Sequence, residues 1–125
     1  MSVNYYAVGP GLDGDNPDDP GLHIGQYVHH MEFLWRGHVE RGLVSAAAWR
    51  ELLTQPGVTI VAEHGAHIPF NDFWAVVIVR PTDAAQAGRD VRPRIGHHFE
   101  SLPSASAYWR DLAGGGHAFY GGEFC

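Results

Sequence analysis

Apolar and polar residues alternate along the chain in short runs, broken by clusters of Gly, Pro and Asp. VNYYAV at 3–8 is a β-type run. GPGLDGDNPDDPG at 9–21 follows it, with four Gly, three Pro and four Asp, and has the composition of an irregular loop. Residues 22–39 carry two competing periodicities. On a helix, Ile24, Val28, Met31, Trp35 and Val39 make one apolar stripe. On strands, Met31, Phe33, Trp35 and Val39 alternate with Glu32, Leu34, Arg36 and His38, while Leu22, Ile24, Gln26 and Val28 form a second period-two set. Gly25 and Gly37 would each weaken a helix by about 1 kcal/mol relative to Ala.

Beyond Gly42 the signals are clearer. Ser45 is an N-cap for a helix through AAAWRELLTQ, and Pro56-Gly57 stops it. VTIVAE reads as a strand and HGAH as its turn. In PFNDFWAVVIVR at 69–80, Asn71 or Asp72 could cap a helix, whereas Val76 to Val79 favour a strand; periodicity leaves both open. RPTDAAQAGRDVRP is a loop or a short helix within one, RIGHHFE a strand, and Ser101 or Ser104 is expected to cap a short helix through SASAYWRDLA that ends at Gly114-Gly115-Gly116. HAFYGGEF is a last short strand. The expectation is an α+β protein: one small domain over 1–125 with a mainly antiparallel sheet and two or three short helices, and an acidic loop at 9–21.

Composition narrows the function classes. Hydrophobic residues make up 45% of the chain and there are four Trp, which marks a folded globule. The formal charge of −6 argues against non-specific nucleic-acid binding by phosphate neutralisation. All eight positive charges are Arg, each a planar fork for carboxylate or phosphate. The sole cysteine, Cys125, permits neither an internal disulfide nor a Cys-rich zinc site. Without a signal peptide or an apolar run of membrane-spanning length, a soluble cytoplasmic protein with no membrane partner is expected.

Nine histidines are many for this length, and two groups of them suggest chemistry. His23, Gln26 and His30 form the first. His23 could donate to a phosphate or carbonyl or act as acid or base, although a half-buried histidine bonded to backbone is the commoner case. On regular strands His23 and Gln26 fall on opposite faces. Glu63, His64 and His67 form the second: His64 and His67 could chelate one ion, with His97, His98 or Glu100 completing the set. His98 and Glu100 share a strand face. Arg80, Arg89, Arg92 and Arg94 could clamp an anion, though a solvated face with Asp83 and Asp90 is the simpler account. Trp35, Trp49, Trp74 and Trp109 sit in apolar patterns and belong mostly to the core, with Trp35 kept as the one that could stack on a ligand ring. Asp13, Asp15 and Asp19 lack the spacing of a calcium loop. No nucleophile motif, phosphate loop or HExxH is present.

Four separated pieces, VNYY at 3–6, LHIGQ at 22–26, EHG at 63–65 and GGEF at 121–124, together resemble a group of small proteins of phages and their bacterial hosts. Those proteins begin TNYY, continue to HIGKSSxGWxF, then carry a tryptophan and an EYG-type turn, and finish in GEF; Trp49 matches the tryptophan. The resemblance spans nearly the whole chain in order. It implies strands at 22–28 and 31–39 around His29-His30, and it picks out His23. Where relatives have KSS, this chain has Gln26, Tyr27 and Val28, and it lacks the CxxC-like pair that relatives often carry before HIG, so a metal site on those cysteines is lost.

Three function classes follow. The first is a binding protein, a phage-type accessory factor that captures a small anionic, nucleotide-like ligand or a host protein through His23, Gln26, Trp35, Glu63 and Arg80. The second is a small enzyme that uses histidine acid/base or metal-assisted chemistry, with zinc on His64, His67 and His98. The third is a structural or assembly subunit. No cofactor is expected under the first reading, zinc is the alternative, and a homo-oligomer is compatible with all three.

Overall fold

VNYYAV becomes β1 (Ser2–Val8), which pairs antiparallel with β2 (Leu22–Val28) on one side and β4 (Thr59–Ala62) on the other. In the computed structural model, which describes residues 2–14, 17–28, 31–79, 99–111 and 115–124, seven further elements and a turn complete the described fold. These are β3 (Leu34–Arg36), a 3-10 turn (Val39–Arg41), α1 (Ala46–Leu53), β5 (His67–Ile68), α2 (Phe70–Val77), β6 (Phe99–Glu100), β7 (Tyr108–Arg110) and β8 (Ala118–Tyr120). The strands form one eight-stranded sheet in the order β5-β4-β1-β2-β3-β8-β7-β6. Neighbours run antiparallel except at β3–β8 and β6–β7, so the fold is a small α+β domain with a mainly antiparallel sheet.

The described part of 22–39 therefore holds the strands β2 and β3, the second shorter than expected, and the two glycines explain part of the choice. A Cβ on Gly25 would meet the Leu34 carbonyl oxygen and the Phe33 ring, and one on Gly37 would meet the Trp109 ring. Both positions admit only a bare backbone. The ambiguous segment at 69–80 folds as α2 because Phe73 and Val77, four residues apart, are both buried in the core. Pro69 occupies its N-cap position, in place of the expected Asn71 or Asp72. Ser45 caps α1 as expected, its Oγ accepting from Ala48 N at 3.1 Å.

The helix expected through SASAYWRDLA is not formed. Ala107 N bonds Ser104 O at 3.3 Å in a turn, and Tyr108–Arg110 enters the sheet as β7. Alternation decides this: Trp109 packs into the core beside Phe119 while Tyr108 and Arg110 point the other way. The segment RPTDAAQAGRDVRP at 80–93 and most of RIGHHFE lie outside the described residues.

Both helices pack on the same side of the sheet. Ala46, Trp49 and Leu53 of α1 and Phe73 and Val77 of α2 join one cluster with Ala7, Ile24, Trp35, Ile60, Trp109 and Phe119. Strand alternation sends Asn4, Tyr6, Leu34, Arg36, Tyr108 and Tyr120 to the opposite face.

Candidate functional site

The opposite face is built around a β-bulge. Tyr5 pairs with Gly25 and Tyr6 with His23, so Ile24 is an extra residue between them. The bulge puts Gln26 opposite Asn4 and His23 opposite Tyr6 on one side of the sheet, although a regular strand would have separated them. This corrects the expectation that His23 and Gln26 fall on opposite faces.

His23 is 4% exposed and its Nε2 lies 2.9 Å from Asn4 Oδ1. An amide oxygen only accepts, so His23 Nε2 carries the proton and donates. Asn4 is fixed in turn by Glu63: Asn4 N donates to Glu63 Oε1 at 2.7 Å and Glu63 N donates to Asn4 O at 2.8 Å, which continues the β1–β4 ladder beyond the end of β4. Tyr6 and Phe124 flank the imidazole, with ring centroids at 5.2 and 4.8 Å.

A second histidine holds the backbone of this site. His38 is 1% exposed and its Nε2 donates to His23 O at 2.9 Å. Its Nδ1 then accepts from Arg36 Nη1 at 3.3 Å, which describes a neutral imidazole with the proton on Nε2. Arg36 also donates through Nε to Gly122 O, so the GGEF segment is tied to the same face. Trp49 matters here indirectly, since its Nε1 donates to Arg36 O at 2.9 Å from the helix side.

From His23 a row of rings crosses the sheet. Phe124 lies 6.0 Å from Tyr120, Tyr120 lies 4.3 Å from Tyr108, and Tyr108 lies 6.2 Å from Phe99. Arg110 closes the row with its guanidinium carbon 4.5 Å from the Phe99 centroid. That guanidinium forms a fork on the buried Glu32 carboxylate, at 2.8 and 3.2 Å, and donates to Gly116 O at 3.0 Å. Its charge is thereby neutralised locally.

The remaining sequence candidates are dispersed. Trp35 is fully buried on the helix side, stacked on Phe119 at 5.8 Å, and among the described residues its Nε1 has no hydrogen-bond partner. His64 and His67 are exposed, in the turn after β4 and on β5. His67 borders a cavity of about 340 Å³ lined otherwise by Leu53, Val58, Ile60, Ile68, Pro69 and Phe70 with Thr59. Arg80, His30 and His98 lie outside the described residues, as do His97, Arg89, Arg92 and Arg94. Among the described residues no three of His, Cys, Asp and Glu stand close enough to hold a metal ion. Also among them, no helix is long and apolar enough to cross a membrane.

Of the sequence candidates, then, His23, Gln26 and Glu63 meet. Asn4, Arg36, His38, Tyr108, Tyr120 and Phe124 were not singled out as site residues. Asn4 and Phe124 do sit within the VNYY and GGEF pieces, which was their available signal. The chain matches no family model, and neither a curated protein nor a solved structure is similar to it.

Proposed function

We propose that this is a small soluble, cytoplasmic binding protein, akin to the phage and host proteins its motifs resemble, which captures a nucleotide-like ligand on the sheet face opposite α1 and α2. One observation supports the reading. Pieces of sequence that are far apart in the chain (VNYY, HIG, EHG and GEF) meet around His23 through Asn4, Glu63 and Phe124. A polar pair that is buried and fully oriented costs desolvation, and a recognition surface is one setting in which that cost is returned.

The test is native mass spectrometry of the full chain, purified from a bacterial host without a histidine tag. A retained adduct of nucleotide size is expected, lost in His23→Gln and Asn4→Ala. A bare wild-type mass, together with no affinity for a panel of nucleotides, would overturn the proposal. Stoichiometric zinc by elemental analysis would move the protein to the enzyme class.

A further inference from the structure

The row of rings beyond His23 has no role in holding the helices, which pack on the other side of the sheet. Its members Tyr108, Tyr120 and Phe124 are each half-buried. A sheet face that carries neighbouring aromatic rings beside a fixed arginine plane is the arrangement that takes unstacked bases: every base has a π-face, and stacking needs no sequence-specific hydrogen bonds.

Charge separates the possible ligands of this kind. Arg110 is committed to Glu32 through two hydrogen bonds, and the chain carries a net charge of −6. Among the described residues, this face offers no run of cations that would release the counterions of a long polyanion. A single planar ring system does gain, through dispersion and the ring quadrupole.

We infer that Tyr108, Tyr120 and Phe124 form a stacking platform for one nucleobase, and that the base, more than the phosphate, is the part of the ligand this protein reads. This rests on the proposed binding function and narrows it to the ring-bearing end of the ligand. The tyrosine hydroxyls lie on the same face as Gln26 and Asn4, so the polar edge of a stacked base has amide groups within the same surface.

Adenosine, AMP and short oligothymidylates are the probes, titrated into the full chain by calorimetry. Adenosine and AMP are expected to bind within a few-fold of each other. Tyr120→Leu and Tyr108→Leu should each weaken adenosine about 5- to 150-fold, the equivalent of about 1–3 kcal/mol per stacked base. Tyr120→Phe and Tyr108→Phe, which keep the ring, should bind as wild type. If a leucine variant fails to fold, upfield shifts of the adenosine H2 and H8 resonances on the wild-type protein report the same stacking. Leucine variants that bind adenosine normally, or wild type with no shift of those protons, would overturn the platform. Retention of some other co-purified ligand that depends on His23 would then leave the binding function standing while this inference falls. Affinity that rises steadily with oligothymidylate length would likewise overturn it, in favour of a polymer track.

Discussion

Three tryptophans in this core differ in one hydrogen bond, and that difference is measurable. Trp35, Trp49 and Trp109 are all within 1% of complete burial. Trp49 Nε1 donates to Arg36 O at 2.9 Å and Trp109 Nε1 to Val44 O at 3.0 Å, whereas Trp35 Nε1 finds no acceptor among the described residues. Replacement by Phe leaves a similar void at each, but at two of them it also strands a carbonyl. Trp49→Phe and Trp109→Phe should therefore cost about 1–3 kcal/mol more than Trp35→Phe in urea unfolding. A Trp35→Phe loss as large as the other two would mean that its indole N–H has a partner, such as a bound water. Tyr5 supplies a pH dependence: burial, with a smaller push from Tyr27, raises its hydroxyl above the usual tyrosine value. The folded state then holds a proton that the unfolded chain releases near pH 10, so stability is complete below that pH and falls as pH rises above it. Urea midpoints between pH 8 and pH 11 should decline more steeply in wild type than in Tyr5→Phe. Legibility at this scale was uneven. His23 stood out through the HIG piece, but its pairing with Gln26 depends on a bulge, and period-two alternation carries no sign of one. His38 and Arg36 were read only as the polar half of an alternating strand, because nothing local distinguishes a buried polar network from a solvated face.

Element boundaries followed local signals where local and long-range demands agreed. α1 is the clearest case, with Ser45 at its N-cap and Asp111 behind it: Asp111 Oδ2 accepts from Ala46 N at 2.7 Å and Oδ1 accepts from His117 N. A carboxylate at a helix N-terminus also favours the helix dipole. Ser45→Ala should cost about 1 kcal/mol. Asp111→Ala should cost more, since it strands two buried backbone N–H groups; thermal melts of the two variants side by side test the order. Equal losses would mean that Asp111 contributes little beyond the serine cap. Where local and long-range demands conflict, tertiary pairing prevails. Ser104, Ala105 and Ala107 have helix-compatible propensities, yet Tyr108 and Trp109 gain more by entering the sheet against Tyr120 and Phe119. In α2 the conflict runs the other way. Val76 and Val77 are weak helix formers, but the four-residue spacing of Phe73 and Val77 puts both on one helix face and buries them in the core.

At the scale of the whole molecule, the order β3-β8-β7 governs cooperativity. β8 comes near the end of the described chain yet lies in the interior of the sheet, parallel to β3 and antiparallel to β7. Phe119 stacks on Trp35 at 5.8 Å and on Trp109 at 5.6 Å, so this one strand joins the core of the β1–β4 half to that of the β6–β7 half. Nothing in the sequence announces such an insertion, because the register of distant segments leaves no periodic trace; the two-stranded alternation of HAFY is the same for an edge or an interior strand. A chain that stops after Asp111 loses β8, exposes one flank of β3 and detaches β6 and β7. The remaining five strands still include β1, β2 and β4, which carry Asn4 and His23 with Glu63 just beyond, but Trp35 and Trp49 are left with an incomplete core. Such a chain should show no sigmoidal thermal transition by circular dichroism and should bind a hydrophobic dye, as loosely packed states do. A sharp transition at a lower temperature would instead make β5-β4-β1-β2-β3 an independent folding unit. The His23–Asn4–Glu63 cluster would then belong to a module that folds first, with the tyrosine row added to it by the strands that follow.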